Sequence, residues 1–335
     1  MATLTATNPT LMDLANVTDP DGQIAAVAEI LNETNEVLSD MTFIEGNLQT
    51  GHKTTMRSGI PLPTWRKINA GVPTSKSTSV SITSTCGMLE AYAEIDKKLW
   101  QLNGNGAEFR LSEDRAHIEG MNQTMADTLF YGNEGTEPEA FTGFAPYFND
   151  LSAENADNVI DAGGTGTDNA SIWLTVWSPN TVHGIVPKGM QAGLQVTDLG
   201  EVTLEDANGG KYQGLRSHYE WNAGLVVRDW RYVVRIANID KSLLSRVYTA
   251  GNFATGAHLP DLMFQALRRI PNLGMGRPAF YASRDIATWI GRQTSAATQG
   301  SVLTSENVGG RFVESFMGVP LRRVDAISAD EARVV

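Results

Sequence analysis

A single cysteine, Cys86, stands among 335 residues, and one thiol closes no internal disulfide. No apolar run approaches the roughly 20 residues that span a bilayer, which excludes a helical membrane protein. The opening stretch MATLTATNPTLMDLANVTD has neither the basic nor the apolar segment of a secretory leader, so the expected compartment is a reducing cytoplasm. Without a secretion route, the Asn-X-Ser/Thr triplets at Asn16, Asn32, Asn122 and Asn169 carry no glycosylation meaning. Cations are also scarce. Lys and Arg total 26 against 38 Asp and Glu, a net charge of -12. Affinity for a phosphate backbone comes from clustered cations, so a general nucleic-acid binder is disfavoured, and beside DNA the chain would repel more than grip.

Catalytic vocabulary is missing as well. The five histidines, His52, His117, His183, His218 and His258, are scattered, with no HExxH, CxxC or GxSxG. Glu113 and His117 are four apart on a predicted helix, a spacing more common in surface contacts than in metal sites. GMGRPA, from Gly274, fits a dinucleotide fingerprint in letters only, because it follows a helix and enters a strand where the fold requires the reverse. GGTGTD, Gly163 to Asp168, fits one copy of a calcium-binding repeat, but such sites form between stacked tandem copies and no second copy exists. GGKY, from Gly209, lacks the upstream Gly and the Ser or Thr of a phosphate loop. The expectation is no catalytic residue, no cofactor and no metal.

What is present is enough apolar residue, 41%, for a sizeable core. QIAAVAEILNETNEVL, Gln23 to Leu38, places Ile24, Val27, Leu31 and Leu38 on one stripe and predicts an amphipathic helix. Ala107 to Phe130 places Leu111, Ile118, Met121, Met125 and Leu129 at helical spacing, a helix of about 35 Å. SIWLTVWS reads as a strand. GEVTLED and KYQGLRSHYEW read as a hairpin about the turn ANGG. LPDLMFQALRRI is a helix with Pro260 in its first turn, PAFYAS a strand, SRDIATWIGRQT a helix capped at Ser283, and GRFVESFMGVPLRRVDAI returns to strand. No repeat or heptad pattern appears, so the class is α+β.

Two stretches do not suit an ordinary globule. From Leu225 to Ile236 twelve residues run without Gly or Pro, a predicted strand of about 40 Å. Its even positions, Val226, Trp230, Tyr232, Val234 and Ile236, are apolar apart from Arg228 and face inward. Asp229, Arg231 and Arg235 lie on the other face, which is read as solvent or interface. That split argues against an aromatic platform for nucleic acid. The second stretch, Thr50 to Ser79, is rich in Thr, Ser, Gly and Pro, without helical period, and carries Lys53, Arg57, Arg66, Lys67 and Lys76 in an acidic chain. Two readings fit it: a solvated basic loop, or a projecting arm that lies on an acidic neighbouring subunit. Lys53, Arg57, Arg66, Lys67, Asp229, Arg231 and Arg235 are therefore the candidate inter-subunit contacts.

The ordered phrases FYGNEGTEPEAFTGFAP, TVWSPNTVHGIVPKGMQAGLQVTDLGE, YEWNAGLVVRDWRYVVRIANID and FMGVPLRRVDAI resemble the major capsid proteins of tailed bacteriophages, a resemblance that covers most of the chain from about Thr50 to Ile327. The nearest subgroup is the coat proteins of short-tailed phages similar to epsilon-fifteen and its Bordetella relative. The resemblance implies an HK97-type fold: an N-terminal arm over 1–48, an extended loop over 49–80, and a mainly peripheral domain over 81–242 with its spine helix at 107–130. A mainly axial domain over 243–314 and a C-terminal strand and tail over 315–335 complete it. It further implies self-assembly into pentamers and hexamers of an icosahedral head around viral double-stranded DNA, with no enzymatic activity. The implied partners are copies of the same chain, decoration, scaffolding and portal proteins, and the packaged DNA non-specifically. The implied location is the virion, assembled in the host cytoplasm. Two other readings stand beside it: an encapsulin-like nanocompartment shell, and a soluble β-rich enzyme or carbohydrate-binding module with the loop Asp161 to Asn169 as its site.

Overall fold

A computed structural model describes residues 9, 33–102, 106–206, 209–245, 247–249, 252–253, 255–296, 303–308 and 311–335. Most of the predicted N-terminal helix lies outside the described residues. Within them, Asn35 bridges Val324 and the helix is only α1 (Val37–Asp40). The elements that follow are β1 (Phe43–Glu45), β2 (Gly51–Gly59), β3 (Thr78–Thr85), β4 (Gly87–Asp96), α2 (Lys97–Gln101), α3 (Gly106–Tyr131), α4 (Phe144–Tyr147), β5 (Val159–Asp161), β6 (Asn169–Trp177) and β7 (Val182–Val186). Then come β8 (Gln195–Glu205), β9 (Lys211–Val227), β10 (Val233–Asp240), β11 (Tyr248–Thr249), β12 (Asn252–Phe253), α5 (Leu259–Arg269), β13 (Arg277–Ala282), α6 (Arg284–Ala296), β14 (Leu303–Val308), β15 (Arg311–Phe316) and β16 (Val319–Arg323).

Two compact units emerge. Among the described residues, one comprises 33–34, Met88–Ala126 and Ala192–Asn222, and the other Asn35–Gly87, Asp127–Gln191 and Ala223–Val335. In the first, β8 and β9 form the predicted antiparallel hairpin, from Gln195 opposite Glu220 to Glu205 opposite Lys211, with a one-residue register shift between Asp198 and Gly200. Asp206 closes the turn by accepting the Gly210 N–H at 2.7 Å. Strand alternation puts Ala93 and Tyr219 on the side where Met121 packs, with Leu89, Ala91 and Trp221 around them. The Tyr219 hydroxyl donates to Asp114, and His117 stacks on the Tyr219 ring at 5.8 Å. The helix buries Phe109, Met121, Met125 and Leu129, but Leu111 and Ile118 of the predicted stripe are exposed. The true stripe begins at Phe109, because the apolar positions drift around the helix over 26 residues. The opposite face of the sheet is polar: Arg216 pairs with Glu94 at 2.5 Å, His218 with Glu90 at 3.2 Å, and Tyr92 stacks on His218.

In the second unit the strand order is β14-β15-β16-β13-β6-β7-β9, with β10 on β6 and β5, and β1 on β7. Every residue of β6 is buried, because both faces are covered. Ala170, Ile172, Leu174 and Val176 join the core with Met263, Leu267, Ile286 and Ile290 of α5 and α6. Trp173 and Trp177 meet Phe130, Phe144 and Phe148 on the other side, at centroid separations of 5.7 to 6.1 Å. Pro260 stands in the first turn of α5 as predicted. The predicted cap at Ser283 is not formed: its carbonyl accepts the Ala287 N–H, but its buried hydroxyl makes no hydrogen bond among the described residues. β15 and β16 turn through Met317 and Gly318, both with positive φ, the two-residue turn whose twist suits a hairpin.

The uninterrupted strand predicted from Leu225 to Ile236 does not exist. β9 ends at Val227, Thr181 O accepts the N–H groups of Arg228 and Asp229, and Trp230–Tyr232 form a 3-10 turn before β10 begins. The Asp229 side chain caps that turn by accepting from Arg231 N at 3.1 Å. Asp is depleted in strand interiors and favoured at caps, and that signal was present in the sequence. A long strand is found upstream, in the 17 residues of β9.

Candidate assembly interface

β2 and β3 pair only with each other, from Gly51 opposite Thr85 to Gly59 opposite Thr78. Residues 60–77 join them. Pro61, Pro63 and Pro73 keep this connection extended, Asn69 takes φ 61 at its tip, and Ser75 Oγ donates to Leu62 O across it at 3.2 Å. Every residue from 60 to 81 is exposed. Among them are Ile60, Leu62, Ile68 and Val72, and Trp65 at 103% relative exposure. A two-stranded hairpin is marginal by itself in water, and a cluster of large exposed side chains marks an interaction surface.

Four predicted contact residues lie on this arm. Lys53, Arg57, Arg66 and Lys67 are exposed, and among the described residues none has an ion-pair partner. Asp229 and Arg231 sit at the β9–β10 turn and pair with each other through two contacts of 2.7 and 2.9 Å, leaving Arg231 more than half exposed. Arg235 corrects the sequence reading. It is 3% exposed: Val234 and Ile236 do face the core as the alternation predicts, but the opposite face of β10, which carries Arg235, is covered as well, and all eight residues of the strand are buried. Its guanidinium lies 4.9 Å over Trp173 and donates to Glu331 at 2.8 Å, Phe148 O at 2.8 Å and Ser171 Oγ at 3.1 Å.

Glu331 had no signal in the sequence. Its carboxylate also accepts from Ser171 Oγ and from Tyr131 OH, whose ionisation is driven well above the usual tyrosine range by burial and by that carboxylate. The Asn238 amide, at φ 58, exchanges two hydrogen bonds with the backbone of Val334, at 2.8 and 2.9 Å. The C-terminal segment is thus tied to β6 and β10 by buried polar contacts. Cys86 is half-buried and its thiol is pushed up to about 11 by burial, so it is protonated and unreactive at neutral pH.

At the root of the arm, His52 of β2 meets His183 of β7 edge to face at 5.7 Å. His183 is 1% exposed and neither ring nitrogen makes a hydrogen bond of normal geometry. Burial, then the neighbouring His52 and Arg228, hold its pKa down to about 4, and His52 is lowered by burial and by Arg228. An unfolded histidine titrates near 6.5, so from pH 6.5 down to about 4 the unfolded chain takes up the proton first and stability falls. Above that window the contribution is complete. His183→Leu should remove about 2 kcal/mol of the acid-induced loss, after a discount for solvent screening. Urea melts of both proteins at neutral and acidic pH read this directly, and parallel pH profiles would refute it.

The family described as Major capsid protein GP7 matches residues 19–335. A chain in the near-atomic structure of bacteriophage Epsilon15 is 36% identical, with a TM-score of 0.77 over 100% of this chain and 99% of that one. The capsid of the native GTA particle is 12% identical with a TM-score of 0.46, covering 69% of this chain and 99% of that one. The SrpI encapsulin of Synechococcus elongatus PCC 7942 is 10% identical with a TM-score of 0.41, covering 71% and 93%. No curated protein matches.

Proposed function

We propose, from the premise that this chain belongs to the major capsid protein GP7 family and is a phage capsid shell protein, that its copies are joined through the arm formed by β2, β3 and residues 60–77. The observation that carries this is the unbroken exposure of residues 60–81 with Trp65 bare. A neighbouring subunit supplies the covering surface, and the unpaired Lys53, Arg57, Arg66 and Lys67 meet its acidic residues, which a chain of net charge -12 has in excess. Asp229 and Arg231, already paired within the turn, form a second and weaker contact through the exposed side of Arg231.

The arms tie subunits into pentamers and hexamers of an icosahedral head that encloses double-stranded DNA. The same hairpin serves both environments because its connection contains few internal contacts to distort. Net negative charge keeps the lining from gripping the packaged DNA. The subunit assembles in the host cytoplasm and carries no enzymatic activity, and scaffolding, portal and decoration proteins complete the particle. We assign 1–48 to the N-terminal arm, 49–80 to the extended loop, 81–242 mainly to the peripheral domain, 243–314 mainly to the axial domain and 315–335 to the C-terminal strand and tail.

Electron microscopy of the purified protein under assembly conditions should show closed shells of uniform diameter. Monodisperse monomers that persist under all such conditions would sink the proposal.

A further inference from the structure

Charge is unevenly divided along this chain. Residues 127–187 hold nine Asp and Glu and no Lys or Arg, whereas 259–323 hold eight Arg against four Asp and Glu. Three of those arginines converge on one groove of about 350 Å³, Arg284 and Arg292 from one face of α6 and Arg323 from the end of β16. Ala287 and Gly291, small residues on the same helix face, leave the space open, and among the described residues the only carboxylate that lines it is Glu314 of β15. The cations are only partly engaged. Arg284 holds Asp325 at 2.5 Å through one nitrogen, and Arg323 stands 4.0 Å from Glu314, too far for a hydrogen bond. Arg292 lies 5.0 Å over the Trp289 ring and has no ion-pair partner among the described residues. A guanidinium carries five N–H donors, and all three side chains belong to exposed residues, so the groove keeps donors for several more carboxylate oxygens.

The acidic stretch presents a matching surface. After α3 the chain makes a compact turn in which Asn133 accepts the N–H groups of Gly135, Thr136 and Glu137 at 2.9 to 3.0 Å, and Glu137 O accepts that of Ala140 at 3.0 Å. Glu134, Glu137 and Glu139 are exposed on it, and among the described residues none has an ion-pair partner. Burial, then the charge of Glu137, raises the Asp127 carboxyl above its ordinary value, as an acidic patch without cations does. Backbone bonds fix the turn before any contact forms, so docking orders little.

On the reading that copies of this chain build a shell, we propose that the arginine groove on α6 receives the acidic turn 133–139 of a neighbouring copy. Groove and turn are different surfaces, so the contact is head-to-tail, the kind that closes into rings. Guanidinium and carboxylate can form two parallel hydrogen bonds, which gives the contact direction as well as attraction. Duplex DNA suits the groove less well, because a phosphate backbone takes cations spread along its length and this is a short pocket with a carboxylate of its own. The arm of β2 and β3 covers apolar side chains, whereas this contact fixes which face meets which.

The test compares the unaltered full chain with Arg292→Glu, Glu137→Arg and the chain carrying both, by sedimentation velocity and by electron microscopy under assembly conditions. Both residues are exposed and neither holds an ion pair within the subunit, so melting temperatures should stay close to that of the unaltered chain. Each single reversal sets like charges against each other and should weaken association by about tenfold or more, with loss of shells. The chain carrying both reversals has opposite charges again and should recover association and shells. Singles that assemble as the unaltered chain does would overturn this contact while leaving the shell reading intact, and so would a double that stays as weak as the singles. Arg292→Glu shells that form in ordinary yield but bind less of an added DNA duplex at low salt would assign the groove to DNA instead. An unaltered chain that neither associates nor forms shells would overturn both readings.

Discussion

Arg235→Ala is expected to destabilise the subunit by about 3 to 5 kcal/mol. The loss comes less from the ion pair itself than from what its removal leaves behind. Glu331 is 8% exposed and its carboxylate would remain inside with only the Tyr131 and Ser171 hydroxyls against it, while Phe148 O loses its donor. The Trp173 ring loses the cation above it, a further contribution of about 1 kcal/mol. Replacing both partners separates the effects: Arg235→Met combined with Glu331→Leu should be far more stable than the single Arg235→Ala, because no charge is then stranded. Urea unfolding of the three proteins measures this, and a cost under 1 kcal/mol for Arg235→Ala would show that the buried pair is not what ties the C-terminal segment to the strands. Weakening of this pair should also be felt locally. Amide exchange at Val334 and Leu151, whose bonds join the last residues to the body of the unit, should accelerate first.

Replacing residues 60–77 by an Asn-Gly turn should abolish shells while leaving the subunit folded. Gly59 and Thr78 are paired, so a two-residue turn closes the remaining hairpin without strain. The deleted stretch is exposed throughout, and its removal takes nothing from the core of the unit. In a shell, by contrast, covering Ile60, Leu62, Trp65 and Ile68 would contribute about 1.5 to 3 kcal/mol for each side chain fully buried, repeated at every contact. Circular dichroism and melting curves should match the unaltered protein, and micrographs should show no particles. Shells in ordinary yield would refute the arm as the principal tie between subunits.

Much of the fold was legible from pattern alone. SIWLTVWS announced the strand β6, Pro260 marked the start of α5, and the turn between β8 and β9 followed from Asn and Gly. The exposed arm was legible too, since Pro, Ser and Thr without a period cannot build a core. Where periodicity was carried across an unrecognised break, the reading failed. At Asp229 the chain turns, which ended the predicted strand, and Arg235 is inside because both faces of β10 are covered, which alternation within one strand does not reveal. The acid switch at His183 had only a fragment of signal, a lone His, because its partner His52 is remote in sequence.

By itself the sequence determined the class, the main elements, the acidic balance and the stretch around residues 60–81 that stays outside the core. These are local properties, set by composition and by side-chain period over a few turns or strand steps. Only the tertiary structure decided where charges reside. Arg235 is inside because Glu331, nearly a hundred residues away, comes to meet it at 2.8 Å, and a buried charge is tolerable only where its partner is brought to it by the fold.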